Sequence, residues 1–308
     1  LLSRRLSALQ VKLKAMTWNP ESSLCVTASV RCCLSVFSSD SKDNNTDMPK
    51  KENIQGMFDN IAPEYDRLNH LMSLDIDKTW RKRALTQIFK PNLAERAMTA
   101  AGDSENGGLH VLDIACGTGD FSIAIAKEML RRASGCQEVA RDQEVDNAGE
   151  FLKNGRYWPG HVMGVDLSEG MLKIMEEKVK AAGLENIVSC EQGDCESLRF
   201  SDGAFDRVTV AFGVRNFENR EKALKEILRV LRPGGELVIL ELSVPSNPVM
   251  KWLYNLYFLH ILPVVGGKVS GNRDAYEYLP ASVLNFPGKK EFMQTLRDCG
   301  YHNVRHRA

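Results

Sequence analysis

The residues best placed to do chemistry lie in Val111-Leu112-Asp113-Ile114-Ala115-Cys116-Gly117-Thr118-Gly119-Asp120, where an apolar run meets a Gly-x-Gly turn. Glycine at such a turn lets a ligand approach the backbone where a side chain would block it. A dinucleotide site would need a third glycine, to pack the helix start that receives a pyrophosphate. That position is Ser122, and Asp113 and Asp120 flank the turn with negative charge that repels phosphate. Acids there suit a ligand with a cationic amine and no phosphate, and S-adenosylmethionine is such a ligand. Gly117, Thr118 and Gly119 are the candidate loop contacts. Asp166 closes Gly164-Val165-Asp166-Leu167, from which a carboxylate accepts hydrogen bonds from both ribose hydroxyls. The competing reading of Asp166 is a cap on the following helix. Asp194, in Gly193-Asp194-Cys195, can take the adenine amino group, although alone it reads as a turn residue.

The elements that must position these residues alternate regularly. His110–Ile114, His161–Val165, Ile187–Glu191, Arg207–Phe212 and Glu236–Leu242 read as strands. Between them lie helices opening near Phe121, after the N-cap candidate Ser168, and over Arg220–Leu231, where Pro233-Gly234-Gly235 stops the last. Such alternation predicts an α/β fold: a doubly wound, mostly parallel, Rossmann-like sheet with helices on both faces. Ahead of it, Met57, Phe58, Ile61, Tyr65, Leu68 and Met72 recur at roughly helical spacing, which predicts an N-terminal helical lid over 54–90. Residues 130–160 are polar and long for a connection, and read as a surface insertion.

Of 308 residues, 40 are Lys or Arg and 40 are Asp or Glu, so no global charge argues for nucleic acid. The most apolar stretch, Trp252–Val265, is interrupted by Asn255, His260 and Pro263 and is shorter than the roughly 20 residues a spanning helix requires. The 8 cysteines form no CxxC pair and the 6 histidines no ligand cluster, so no metal is expected. Residues 1–50 hold Arg4, Arg5, Lys12, Lys14 and Arg31 among serines and leucines. They read as a disordered leader and linker, of organellar transit type, ahead of a single domain over 51–308.

Beyond the cofactor loop, Met57-Phe58-Asp59-Asn60-Ile61-Ala62-Pro63-Glu64-Tyr65-Asp66, Asn69-His70-Leu71-Met72-Ser73-Leu74 and Ala211-Phe212-Gly213-Val214-Arg215-Asn216 carry a resemblance. With Leu231-Arg232-Pro233-Gly234-Gly235 and Ala275-Tyr276-Glu277-Tyr278-Leu279, they resemble the ubiquinone/menaquinone biosynthesis C-methyltransferases over about Met57 to Tyr301. The insertion and basic leader are most similar to the mitochondrial branch, which methylates a polyprenyl benzoquinol. The resemblance implies S-adenosylmethionine contacts at Thr118, Asp166, Asp194 and Cys195, with Cys116 standing where the family often has glycine. It implies a strand after Tyr301 that closes the sheet, and the chain's stop at Ala308 then predicts an open edge there.

Ring methylation needs a nucleophilic carbon, hence a base or a cation that stabilises a phenolate. Arg215, with Asn216 orienting it, is the candidate; the competing reading is a structural ion pair. Tyr65 and His70 on the lid, and Tyr276 in the 245–285 region, are candidate acceptor contacts, with Tyr278 beside them. The expected acceptor is a polyprenyl benzoquinol, with demethylmenaquinol or a non-catalytic scaffold role as alternatives. Expected partners are other ubiquinone-biosynthesis proteins, a second copy of the chain, and a membrane surface touched peripherally on the matrix side of the mitochondrial inner membrane.

Overall fold

The computed structural model describes residues 23–29, 51–66, 76–90, 108–137, 160–242, 278 and 282–307. In chain order the elements are β1 (Ser23–Ser29), α1 (Lys51–Ile61), α2 (Ile76–Ile88), β2 (His110–Ile114), α3 (Asp120–Gln137), β3 (His161–Asp166), α4 (Glu169–Ala181) and β4 (Val188–Gln192). They continue with β5 (Phe205–Ala211), α5 (Arg220–Val230), β6 (Leu231–Leu242), α6 (Lys289–Asp298) and β7 (His302–Arg307). Short 3-10 turns at Ala62–Glu64 and Val214–Asn216 extend α1 and follow β5.

The sheet has 7 strands in the order β4-β3-β2-β5-β6-β1-β7. Strands β2 to β6 pair in parallel, which forces helical crossovers and buries both faces. Successive side chains of β2 therefore enter different layers. Leu112 and Ile114 pack with Leu224, Phe292 and Leu296, while Val111 packs with Ile88, Ile125 and Met175. The strand order reverses beside β2, and the crevice at the carboxyl ends of β2 and β5 is where such sheets bind ligands.

Local signals fixed several boundaries. Ser168 caps α4, its hydroxyl accepting from Met171 N at 3.1 Å, and Asn219 caps α5 through Lys222 N at 2.9 Å. Other expectations need correction. The leader is not disordered throughout, because β1 runs antiparallel between β6 and β7 and pairs with both. Its Leu-Cys-Val-Thr sequence favours extended backbone, and two strands that do not pair with each other leave a slot for it. The position between β6 and β7 is thus filled, and β7 is the strand at the sheet's outer edge. Helix α1 starts at Lys51, three residues before the expected lid boundary at 54, with Glu52 in its first turn complementing the helix N-terminus. Helix α3 continues to Gln137, past the expected start of the insertion, and β6 begins at Leu231, with a register irregularity before Glu236 pairs with Arg207. The rest of the insertion, the basic residues of the leader, Trp252–Val265, His70 and Tyr276 lie outside the described residues.

Candidate cofactor and acceptor site

A cleft of about 750 Å³ opens at the carboxyl ends of β2 to β5. One wall is α1 and the turn after it, through Lys51, Ile54, Gln55, Phe58 and Tyr65. Facing it are the strand-end loops, through Gly117, Asp166, Ser168, Asp194, Cys195, Phe212, Gly213 and Asn216.

The glycine loop is built by packing as well as by access. Gly117 and Gly119 have φ of +56° and +80°, and a Cβ on Gly119 would meet Met175 Cγ at 2.4 Å. Gly117 lines the cleft; Gly119 packs behind it on Met175. Thr118 also faces away. It is buried, its hydroxyl donates to Asp66 and its oxygen accepts from Lys178 Nζ at 3.2 Å. The Cys116 thiol is buried in the core layer over Gly164 and does not line the cleft, and burial holds it well above the ordinary thiol pKa. Ala115 and Phe212 both take left-handed φ, 53° and 62°, and a Cβ on Gly213 would meet Ala115 Cβ at 2.5 Å. Strained backbone thus makes the cleft floor between β2 and β5.

Asp166 lines the cleft at the end of β3, and Ser168 rather than Asp166 caps the following helix. Oδ2 accepts from Gly117 N at 2.8 Å and Oδ1 from Ser168 N at 2.9 Å, so the carboxylate ties two loops together. Each oxygen keeps a lone pair for a ligand hydroxyl. Burial raises its pKa, and the backbone donors oppose that. Asp194 lines the far end; Oδ1 accepts from Glu196 N at 2.9 Å and Oδ2 meets Lys51 Nζ at 2.7 Å. Lys51 also reaches Glu196 at 2.9 Å; burial opposes its charge, but the two carboxylates outweigh it and raise its pKa. Lys51 and Glu196 were missed in the sequence, because the Lys51–Asp194 pairing spans 143 residues and no local pattern marks it. Cys195 is buried beside them, its thiol kept protonated by burial.

Arg215 does not line the cleft. Its guanidinium is buried behind the floor, where Nη1 donates to Glu241 Oε1 at 2.6 Å and to the Phe212 carbonyl. Its backbone N–H donates to Glu241 Oε2 at 3.2 Å, and Nε is buried with no hydrogen-bond partner. Burial acts to lower its pKa, but Glu241, with Tyr65 and Tyr278, more than offsets this. Arg215 is therefore a fixed cation, not a base. Its neighbour Asn216 lines the cleft, and Tyr278 donates to Asn216 Oδ1 at 2.8 Å. Glu241 had a readable signal, a lone carboxylate in the apolar run Leu237-Val238-Ile239-Leu240-Glu241-Leu242 at the ligand end of its strand.

Backbone exposed at Gly117, an acceptor carboxylate at Asp166 and acids at the far end fit S-adenosylmethionine. This fold with this cleft defines a class I S-adenosylmethionine-dependent methyltransferase. Residues 46–308 match the ubiE/COQ5 methyltransferase family, and the chain belongs to it. It is 36% identical to the demethylmenaquinone methyltransferase of Bacteroides fragilis over 268 residues, 86% of this chain and 91% of that one. It is 38% identical to the ubiquinone/menaquinone biosynthesis C-methyltransferase UbiE of Geobacter sulfurreducens over 258 residues, 84% of each chain. Among solved structures, the [4+2]-cyclase SpnF aligns with a TM-score of 0.48 and 18% identity over 82% of this chain and 73% of its own, too distant to carry function.

Proposed function

We propose that the chain methylates a ring carbon of a polyprenyl benzoquinol in ubiquinone formation. The second reading, a demethylmenaquinol acceptor, is favoured by the Bacteroides relative's name. The observation that supports ring methylation is the cleft itself, in which the aromatic wall of Phe58 and Tyr65 faces Asn216 and the carboxylates of Asp166 and Asp194.

Bound S-adenosylmethionine supplies a methyl on a sulfonium, so the reaction exchanges a carbon–sulfur bond for a ring carbon–carbon bond and sheds one ring proton. The chain's residues hold the ring and its oxygen. Arg215, buried behind the cleft floor, favours negative charge on the ring hydroxyl oxygen by its fixed positive charge, without touching it. Asn216 has its amide oxygen held by Tyr278, which leaves its N–H groups for the acceptor. Phe58 and Tyr65 give the wall above an aromatic surface suited to a planar ring. Asp166 and Asp194 hold the ribose and adenine ends of the cofactor. A prenyl tail would bring the protein to the inner-membrane surface; no helix among the described residues is long and apolar enough to cross a membrane.

The test begins with calorimetric titration of S-adenosylmethionine, S-adenosylhomocysteine and, as control, NAD. Methyl transfer to short-tail benzoquinol and naphthoquinol follows, read by mass spectrometry. A ring-methylated benzoquinol formed with kcat/KM at least about tenfold above the naphthoquinol supports the proposal. Preference for the naphthoquinol overturns it in favour of the second reading. Absence of both products, with cofactor bound, points to the scaffold role.

A further inference from the structure

Charge is spread unevenly over the two faces of the sheet. Helix α2 carries Lys78, Arg81, Lys82 and Arg83 against one acid, Asp77. That acid is buried and meets Arg81 at 3.3 Å. Lys78 and Lys82 are exposed one turn apart, with Arg83 half-buried beside them, so the outward side of the helix is basic. Strand β7 holds Arg305 and Arg307, both exposed, and no acid. Register places these two arginines on the α2 face. Arg305 pairs with Thr27 and Thr27 with Val238, while Arg307 pairs with Cys25 and Cys25 with Leu240. Directly paired residues share a face of the sheet, and Val238 and Leu240 pack with Ala84 and Ile88 of α2. Among the described residues, Lys82, Arg83, Arg305 and Arg307 meet no carboxylate. The opposite face, covered by α5 and α6, mixes exposed Lys225, Lys289, Lys290 and Arg297 with exposed Glu221, Glu291 and Asp298.

The basic face reaches the ligand end of the sheet. The first turns of α2 lie there: Arg81 Nη1 donates to Asp120 Oδ2 at 2.8 Å, and Trp80 leans on Phe212 of the cleft floor, with ring centroids 6.2 Å apart. The last turn lies at the other end, where Arg207 Nε donates to the Ile88 carbonyl at 3.1 Å. Strand β7 runs parallel to β6, because both are antiparallel to β1, so Arg307 is its ligand-end residue. From this placement we infer that α2 and β7 form a docking surface for an anionic bilayer, which brings the mouth of the cleft to the headgroups. The inference rests on the polyprenyl acceptor proposed above, whose tail resides in a bilayer. Cations with no exposed acid among them gain on approach to phosphate headgroups, about fivefold in affinity for each Lys or Arg at the surface.

The test is flotation of the full chain, without quinol, on vesicles of phosphatidylcholine alone and of phosphatidylcholine with about one-third phosphatidylglycerol. Binding is expected to the anionic vesicles only, and to fall at least about tenfold in high salt. A chain carrying Lys82→Gln, Arg83→Gln, Arg305→Gln and Arg307→Gln together is expected to bind them at least about tenfold more weakly. A control chain carrying Lys225→Gln, Lys289→Gln, Lys290→Gln and Arg297→Gln loses the same charge from the opposite face. It is expected to stay within about twofold of the parent, since its sites lie beyond the reach of the screened headgroup field. None of these side chains is buried, so both chains are expected to keep the parent's melting temperature and S-adenosylhomocysteine affinity.

Equal losses in the two chains would mean that net charge, and not this face, holds the protein to lipid, and the inference fails. Equal binding to neutral vesicles, or anionic binding unchanged in the first chain, also overturns it. Tighter binding to a duplex RNA than to the anionic vesicles, lost in the first chain, assigns the face to nucleic acid and overturns it as well. Vesicle binding lost in the first chain alone upholds the docking surface even if no quinol is methylated, so its failure and that of the proposed function are distinguishable. If the first chain does not fold, its α2 pair and its β7 pair of substitutions, made in separate chains, decide by the same comparison.

Discussion

At the scale of single residues, the sheet's ligand end holds more buried charge than a sequence can show. Asp113 is an example: the turn's acid was legible, but its surroundings were not. It is buried at the carboxyl end of β2, with the Ser122 hydroxyl donating to Oδ2 and the Thr209 hydroxyl to Oδ1, both at 2.6 Å. It therefore braces the glycine loop from below and does not face the cleft. Burial pushes its carboxyl up from 3.8 to about 6, and the two hydroxyls oppose that only in part. The native state thus binds the proton more tightly than the unfolded chain, so stability from this group is present below pH 3.8 and lost as pH rises towards 6. The loss should reach about 3 kcal/mol by neutral pH. Asp113→Asn cannot ionise, and its hydroxyl partners can rotate to accept. The expected outcome is that denaturant melts of the two proteins diverge with pH, the parent losing ground to the variant between pH 4 and 7. A pH-independent difference would place the pKa of Asp113 near its ordinary value. Asp166 and Asp194 were legible as cleft residues because they end successive strands of the pattern on the same side as the glycine turn, and both line the cleft. The engagement of Thr118 with Asp66 and Lys178 was not, since those partners lie 52 and 60 residues away.

At the scale of elements, the helical lid was legible as a pattern, but its attachment was not. The segment Lys51–Asp66 is fastened to the loops of the cofactor cleft through Lys51, Asp59 and Asp66, and the Lys51 backbone N–H also donates to Glu218 Oε2 at 3.3 Å. Lys51 bridges Asp194 and Glu196 after β4. Asp59 accepts from the Ser168 hydroxyl at 2.5 Å and from Gly170 N at 3.1 Å, placing a carboxylate on the N-terminus of α4, where unpaired amides and the helix dipole favour it. Asp66 meets Thr118 and Lys178 beside the glycine loop. Each fastening is partly solvent-exposed and worth little alone, about 0–1 kcal/mol. Together they hold the segment against the cleft, so release of the cofactor past a lifted segment would have to break all of them. Lys51→Met with Asp59→Asn is expected to speed S-adenosylhomocysteine dissociation about tenfold while moving the melting temperature by no more than about 4 °C. Stopped-flow fluorescence measures the first and calorimetry the second. Dissociation at the parent rate would show that the segment is a fixed wall.

At the scale of the whole molecule, the parallel half of the sheet was readable because each of its strands is a short apolar run bounded by turn residues, a purely local signal. Strand β1 escaped because its partners are remote: Ser23 pairs with Leu242 and Cys25 with Arg307. Its seven uncharged residues lie within a basic leader, and only the slot between β6 and β7 reveals its use. That placement separates stability from ligand binding. The cleft lies over β2 to β5, whereas β1 stands beyond β6, so its removal should disturb the distant edge first. Without it β7 has no strand neighbour and β6 exposes an unpaired edge. Helix α6 and Tyr301 would stay in the core, where Phe292 and Leu296 are fully buried and the Tyr301 hydroxyl donates to Leu224 O at 2.9 Å. Deleting residues 1–30 is therefore expected to lower the melting temperature by more than about 5 °C, a loss of a few kcal/mol. Hydrogen-exchange protection should vanish over His302–Arg307 and persist over β2 and β3. S-adenosylhomocysteine affinity should stay within about twofold, since the cleft keeps all its contacts. Protection retained at His302–Arg307 after the deletion would show that β7 finds another partner, and a collapse of cofactor affinity would show that the two ends of the sheet do not act independently.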